Sequence, residues 1–286
     1  MTSKIYFECY PCLLRQVLDA ISFLELDEGT TKEILNKSMQ DLMNMEEDFT
    51  SSEIAAQIHQ NIIQKANGVD PYQNVKIMSL EKAAEQLDYA RERIISATDP
   101  LETALKICTA GNIIDYGPAA DFDLRNAIEH VLGTPFSRFD YKAFKSALGY
   151  AERILFLGDN AGETLFDKLL IEQINKPLDY AVKSAPIMND ALREDAESTK
   201  FPDYVTIVEN GTAIQGTVLS QCSAEFLQKY EMADMIIAKG MANFETLPTE
   251  RDRAFFLLKI KCKPISKLAG LPYGSFVLKQ GGMLNP

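Results

Sequence analysis

The sequence predicts an α/β fold: a doubly wound, mostly parallel sheet with helices on both faces, joined to an all-helical N-terminal region. Three observations predict it. Nothing between Met1 and Leu101 has the pattern of a strand. From about Arg153 onward, short apolar runs alternate with helical patterns. Alternation of that kind builds parallel βαβ units, and ligands of such sheets bind at the carboxyl ends of the strands.

In the helical region, Leu14, Val17, Leu18, Ile21 and Leu24 recur at helical spacing. Thr50-Ser-Ser-Glu53 has the form of a capping box, followed by Ile54, Ile58 and Ile62 on one face. A third stripe runs through Leu80, Ala83, Leu87, Ala90 and Ile94. Asp99-Pro100 reads as an N-cap with proline at the first helical position, leading into Ala104, Leu105 and Cys108, with Gly111 at the end. These elements place a helical region at 1–100 and an α/β region at 101–286, with a soft boundary and a shared interface.

The expected strands are Ile154–Leu157, Leu178–Val182, Val205–Val208, Met235–Ala238, Phe255–Ile260 and Phe276–Leu278. Helices are expected at Thr164–Ile174, Asp190–Ser198, Ser220–Tyr230 and Ile265–Gly270. There is no internal repeat and no long Pro/Gly/Ser linker.

Composition narrows the function classes. The chain has 286 residues, 46% hydrophobic and 24% charged, as an ordinary globular protein does. Its net charge of -12 repels a phosphate backbone, so nucleic acid is not the expected partner. A small phosphorylated metabolite is compatible, because its charge can be met locally by a metal, a lysine and helix N-termini. Residues 1–12 lack the apolar core of a signal peptide, and no apolar run reaches membrane-spanning length, so a cytoplasmic protein without a membrane partner is expected. Five cysteines in this length do not form a disulfide framework. Nothing in the sequence points to an oligomeric state.

Three strand ends carry the chemistry. Ile154-Leu-Phe-Leu runs into Gly158-Asp159-Asn160-Ala-Gly162-Glu163 and then into a helix. Asp159 offers a carboxylate oxygen and Asn160 an amide oxygen, donors that Mg²⁺ and Mn²⁺ prefer. The alternative reading is a plain helix cap. The next strand runs into Pro186-Ile-Met-Asn-Asp190, where Asp190 reads either as a third oxygen ligand or as an N-cap. Two acids at neighbouring strand ends repel unless a cation lies between them, so the pair says more than either alone. Asp195, further along the same helix, is expected to be exposed. A third strand ends in Lys239-Gly240-Met-Ala-Asn243-Phe-Glu245. Lys239 suits a phosphate oxygen, Gly240 permits close approach, and Asn243 can bond either the ligand or the loop.

Those three motifs, in that order after a helical N-terminal part, resemble the damage-control phosphatase family, long catalogued as a domain of unknown function. Cys9-Tyr-Pro-Cys12 and the following Leu-Leu-Arg-Gln are similar to its smaller prokaryotic branch. The resemblance implies that the counterparts of Asp159, Asn160 and Asp190 bind a divalent metal (magnesium, manganese, cobalt or nickel). It implies that the counterpart of Lys239 contacts phosphate, and that the substrates are phosphate esters of small metabolites such as sugar phosphates or damaged phosphorylated cofactors. Asn112 and Asp115 also resemble a family motif of the substrate pocket, against the alternative of a helix C-cap and a turn residue.

Metal-assisted phosphomonoester hydrolysis is therefore the expected reaction, with Lys239 neutralising developing charge, Glu163 bonding a water or the ligand, and Asp159 or Asp190 as base. The chain lacks the Asp-x-Asp strand end of haloacid-dehalogenase phosphatases, which argues against a covalent aspartyl route. The rival is a non-catalytic binding or sensor protein using the same sheet edge. Methyl transfer ranks lower, because no Gly-x-Gly-x-Gly turn is present. Cys9 and Cys12 have the spacing of half a structural zinc site, but no second CxxC pair and no HxxxH completes it. They read either as a metal or redox pair lacking its partners or as reduced, packed thiols.

Overall fold

The structure, a computed structural model, describes residues 5–45, 49–111, 123–247, 250 and 252–281. Three helices open it: α1 (Cys9–Ser22), α2 (Glu28–Asn44) and α3 (Ser51–Lys65). Asp27 caps α2 by accepting from the Thr30 N–H at 3.0 Å. Thr50 and Glu53 form the expected capping box on α3. These helices bury Leu13, Val17, Ile34, Ile54, Ile58, Ile62 and Tyr72 in a core of their own.

The stripe from Leu80 to Ile94 is carried by two helices, α4 (Gln73–Glu85) and α5 (Leu87–Ile95), which break at Gln86. Both face the sheet, so Ala83, Ala90 and Ile94 belong to the sheet's core. Asp99 caps α6 (Pro100–Gly111) through the Glu102 N–H at 3.2 Å, as expected. Next come α7 (Leu124–Gly133), the two-residue strand β1 (Arg138–Phe139) and α8 (Tyr141–Tyr150). At two residues, β1 is too short to leave a periodicity in the sequence.

The α/β part then runs β2 (Ile154–Leu157), α9 (Thr164–Ile174), β3 (Leu178–Val182), α10 (Arg193–Ser198), β4 (Val205–Glu209), α11 (Ala224–Met232), β5 (Met235–Lys239), α12 (Gly240–Thr246), β6 (Ala254–Lys259), α13 (Lys263–Ala269) and β7 (Phe276–Gln280). The six expected strands are all present. The segment expected as one helix over 220–230 is instead a 3-10 turn (Leu219–Gln221) followed by α11, whose N-cap Ser223 accepts from the Phe226 N–H at 3.2 Å.

The sheet order is β1-β7-β6-β5-β2-β3-β4, parallel throughout except for the antiparallel pair β6/β7. Alternation along the strands divides the core. Phe156, Tyr180, Ile237 and Phe255 face one layer with α5, α6, α7, α8 and α9. Leu155, Leu157, Ile236, Ala238 and Phe256 face the other with α11, α12 and α13. The chain leaves β2 in one direction to β3 and β4, then returns to β5 on β2's other side. The carboxyl ends of β2 and β5 therefore flank the topological switch point, where open α/β sheets place ligands. Among the described residues, no helix is long and apolar enough to cross a membrane.

Candidate active site

Two strand-end loops are joined by backbone. Gly158 N–H donates to Ala181 O at 3.0 Å, and a side chain at Gly158 would meet Tyr180 Oη at 2.8 Å. Asn160 and Asp190 then pair in an isolated antiparallel bridge. On either side of it, Ala191 N–H donates to Asp159 O at 2.8 Å and Ala161 N–H to Asn189 O at 2.9 Å. Met188 enters that loop with a left-handed φ of 45°, a conformation unusual outside glycine. The loops after β2 and β3 thus hold Asp159, Asn160 and Asp190 as one unit.

This arrangement excludes the helix-cap readings. Asn160 makes no side-chain cap bond to the 3-10 turn that follows it (Ala161–Glu163). Helix α10 begins at Arg193, three residues later than expected, so Asp190 stands ahead of it in the bridge. The capping work falls to Asp195, whose Oδ2 accepts from the Leu192 N–H at 2.9 Å. Asp195 is buried rather than exposed, because it also lies 3.9 Å from the buried Lys76 of α4.

The Asp190 carboxylate is 1% exposed and lies beside the Lys183 ammonium and the Gln215 amide. Lys183 lies 3.6 Å away and also donates to Gly216 O. Burial pushes Asp190 up to about 6, with the Lys183 ammonium and the Gln215 amide opposing. Burial, reinforced by Glu163 and Asp190, drives Asp159 well above the usual carboxylate range, with Lys239 and Lys261 opposing. Two acids in that state are held at a standing cost unless a cation joins them. Gly240, at φ 78°, makes room for Asp159: a Cβ there would come within 2.0 Å of Asp159 Oδ2. Two carboxylates and an amide oxygen suit a hard divalent cation.

Lys239 is 0% exposed and donates to Glu163 Oε2 at 2.8 Å and Asp167 Oδ1 at 2.6 Å. Burial alone would discharge it, but Asp167, Cys108 and Glu163 overcome that and keep it firmly protonated. Where the sequence leads to the expectation of a phosphate contact, two buried carboxylates engage the ammonium. Glu163 is equally buried, accepting from Asn160 Nδ2 at 2.7 Å. Asn243 takes the loop-bonding alternative: its amide donates to Lys239 O at 2.8 Å and accepts from Thr217 Oγ1 at 2.7 Å. Asn112 and Asp115 lie outside the described residues.

Asp159 and Asn160 open into a cavity of about 520 Å³. Lys261, just beyond β6, lines it with them, and its charge favours the Asp159 carboxylate. Sequence reasoning missed Lys261, although it stands two residues past β6 on the same sheet edge. The opposite wall comes from the helical region, including Gln16, Asp19, Ser51 and Tyr72. Cys9, Cys12 and Cys262 line the cavity too, with burial pushing Cys9 up to about 11 and raising the other two. Among the described residues, no group of three or more His, Cys, Asp or Glu side chains is placed to hold a metal ion. Among those residues, Cys9 and Cys12 have no third such side chain placed with them to complete a cage.

Comparison with known proteins places the chain in a family. The sequence profile of the damage-control phosphatase ARMT1-like domain matches residues 5–277. The chain belongs to that family. It is 31% identical over 281 residues to the damage-control phosphatase PH1575 of Pyrococcus horikoshii, covering 96% of this chain and 97% of that protein. It is 29% identical over 286 residues to a damage-control phosphatase of Archaeoglobus fulgidus (96% and 99% covered) and 33% identical over 289 residues to the uncharacterized protein MJ0202 of Methanocaldococcus jannaschii (96% and 95%). The crystal structure of the DUF89 family protein from Pyrococcus horikoshii superposes with a TM-score of 0.90 at 29% identity, over 98% of this chain and 99% of that one.

Proposed function

We propose that this member of the damage-control phosphatase family is a divalent-cation-dependent phosphomonoesterase of small phosphorylated metabolites, sugar phosphates or damaged phosphorylated cofactors among them. The observation that carries the reading is the buried Asp190 carboxylate, bridged through its backbone to Asn160 beside the second acid, Asp159. Asp159, Asn160 and Asp190 hold the cation, which when bound supplies Lewis-acid polarisation of the phosphoryl oxygens. Magnesium, manganese, cobalt and nickel all accept such donors.

The chain's own groups do the rest. Lys261, on the cavity wall beside Asp159, takes the role first expected of Lys239 and meets the charge that develops on the phosphoryl oxygens. Asp159 or Asp190 would be the base that accepts the proton of the attacking water. Gln16, Asp19 and Ser51 offer polar groups to the leaving alcohol from the opposite wall. At about 520 Å³ the cavity has the size of a small-metabolite site, and it does not fit a polymer.

Phosphate release from a panel of sugar phosphates and a chromogenic aryl phosphate, with chelator, Mg²⁺, Mn²⁺, Co²⁺ or Ni²⁺, tests the reading. Metal-dependent release that disappears in Asp159→Ala is the expected result. Folded protein that releases no phosphate with any cation, yet gains thermal stability from these esters, would establish the binding-protein alternative instead.

A further inference from the structure

Beneath the cavity floor runs a chain of buried polar groups whose far end is occupied by residues with no assigned role. Tyr180 Oη donates to Asp167 Oδ2 at 2.7 Å, and Cys108 Sγ to Asp167 Oδ1 at 3.0 Å. Lys239 joins Asp167 to Glu163, and Glu163 accepts the amide N–H of Asn160. Cys108, Glu163, Asp167, Tyr180 and Lys239 are all fully buried. They come from α6, the turn before α9, α9 itself, β3 and β5, so the chain ties five elements to one strand-end amide.

We propose that Asp167 is a positioning residue for the cation site, acting through Lys239 and Glu163 on the Asn160 amide. The inference rests on the cation reading given above. A carboxylate only accepts, so Glu163 dictates which end of the amide faces it: the NH₂ group. Asn160 Nδ2 also lies 3.5 Å from Asp159 Oδ2, which leaves the carbonyl oxygen turned from both acids and committed to the cation. That orientation holds only while Glu163 is itself fixed. Lys239 fixes it, and Asp167 with its own two donors fixes Lys239.

A merely structural brace is a poor explanation for this assembly. Buried ion clusters are weak stabilisers beside apolar packing of the same volume. Partners that orient a metal ligand from behind are instead worth about 10–100-fold in metal affinity.

The test is isothermal titration of Mn²⁺ into metal-stripped protein: wild type, Asp167→Asn, Tyr180→Phe, and Phe144→Leu as a core substitution remote from the chain. Asp167→Asn is expected to weaken Mn²⁺ about 10–100-fold, while Phe144→Leu lowers the melting temperature and leaves Mn²⁺ affinity unchanged. Folded Asp167→Asn that binds Mn²⁺ within twofold of wild type overturns the inference. If that variant does not fold, Tyr180→Phe decides: a loss of roughly threefold or more supports the inference, and wild-type affinity overturns it. Wild type that binds no Mn²⁺ removes the cation site itself, a failure distinct from the other two.

Discussion

At the cavity floor, Asp159, Asn160 and Asp190 are set by backbone hydrogen bonds that join two strand ends, whereas at the opposite wall Gln16, Asp19 and Ser51 stand on helices with a separate core. The wall reaches the α/β body through side chains. Ser51 Oγ donates to Glu245 Oε1 at 2.7 Å, and Lys76 pairs with Asp70 at 2.7 Å and lies near Asp195. The floor is over-determined and charged, and the wall is loosely tied and mostly neutral. Groups that do chemistry need fixed geometry, while groups that choose a leaving alcohol tolerate adjustment. Substitutions on the two sides should therefore separate turnover from substrate affinity.

The strongest way to break that separation is at the floor. Asp159→Ala is expected to lower kcat by about 10³-fold or more. Because it removes a carboxylate that burial disfavours, it should also raise the melting temperature of metal-free protein by roughly 2–4 °C for each kcal/mol relieved. A melting temperature that falls in chelator would contradict the account of Asp159. Gly240→Ala comes next. Its Cβ would collide with the Asp159 carboxylate, so a loss of about 10²-fold in kcat is expected from displacement alone, with KM little altered.

The wall is probed by acid. His59 of α3 is buried against Tyr72, and burial lowers it to about 4, opposed by Asp70. Its folded-state affinity for a proton lies below that of the unfolded chain, so its contribution to stability is complete above about pH 6.5 and falls as pH drops toward 4. About 3 kcal/mol is at stake over that window. Hydrogen exchange at pH 5 should show α1–α3 opening before β2 and β5, and His59→Phe should restore their protection. Equal protection in both proteins would mean that His59 is not the sensor. The smallest effect is expected for Ser51→Ala, which unties the wall from Glu245: KM should rise a few-fold, in line with a loss of about 1 kcal/mol, while kcat stays within twofold.

The fold was legible wherever burial left a continuous apolar run, as in Ile154–Leu157, or a helical stripe, as in Ile54–Ile62. The strand ends could be ranked because Asp159 and Asp190 repel each other at neighbouring positions, which no single motif reveals. What stayed hidden depended on contacts distant in sequence. Lys239 reads as a phosphate ligand, and nothing nearby in the sequence announces its burial between Glu163 and Asp167. Asp195 looked exposed, since nothing nearby in the sequence announces Lys76. Asp167 reads as an ordinary position in α9, and Lys261 as one of several lysines around a strand end.

The cavity draws residues from both ends of the chain, from Cys9 in α1 to Ile265 in α13. During synthesis, then, a nascent chain that has reached residue 230 already displays Asp159, Asn160 and Asp190, yet lacks the ammonium of Lys239, the cradle of Gly240 and the charge of Lys261. Chains emerge at about 5–20 residues per second and domains fold as units, so several seconds pass in which the acids exist without the groups that set them. A competent site arises only when β5 closes the gap beside β2. Under the proposed reading, any hydrolytic power is thereby withheld from every truncated copy the ribosome releases before that strand.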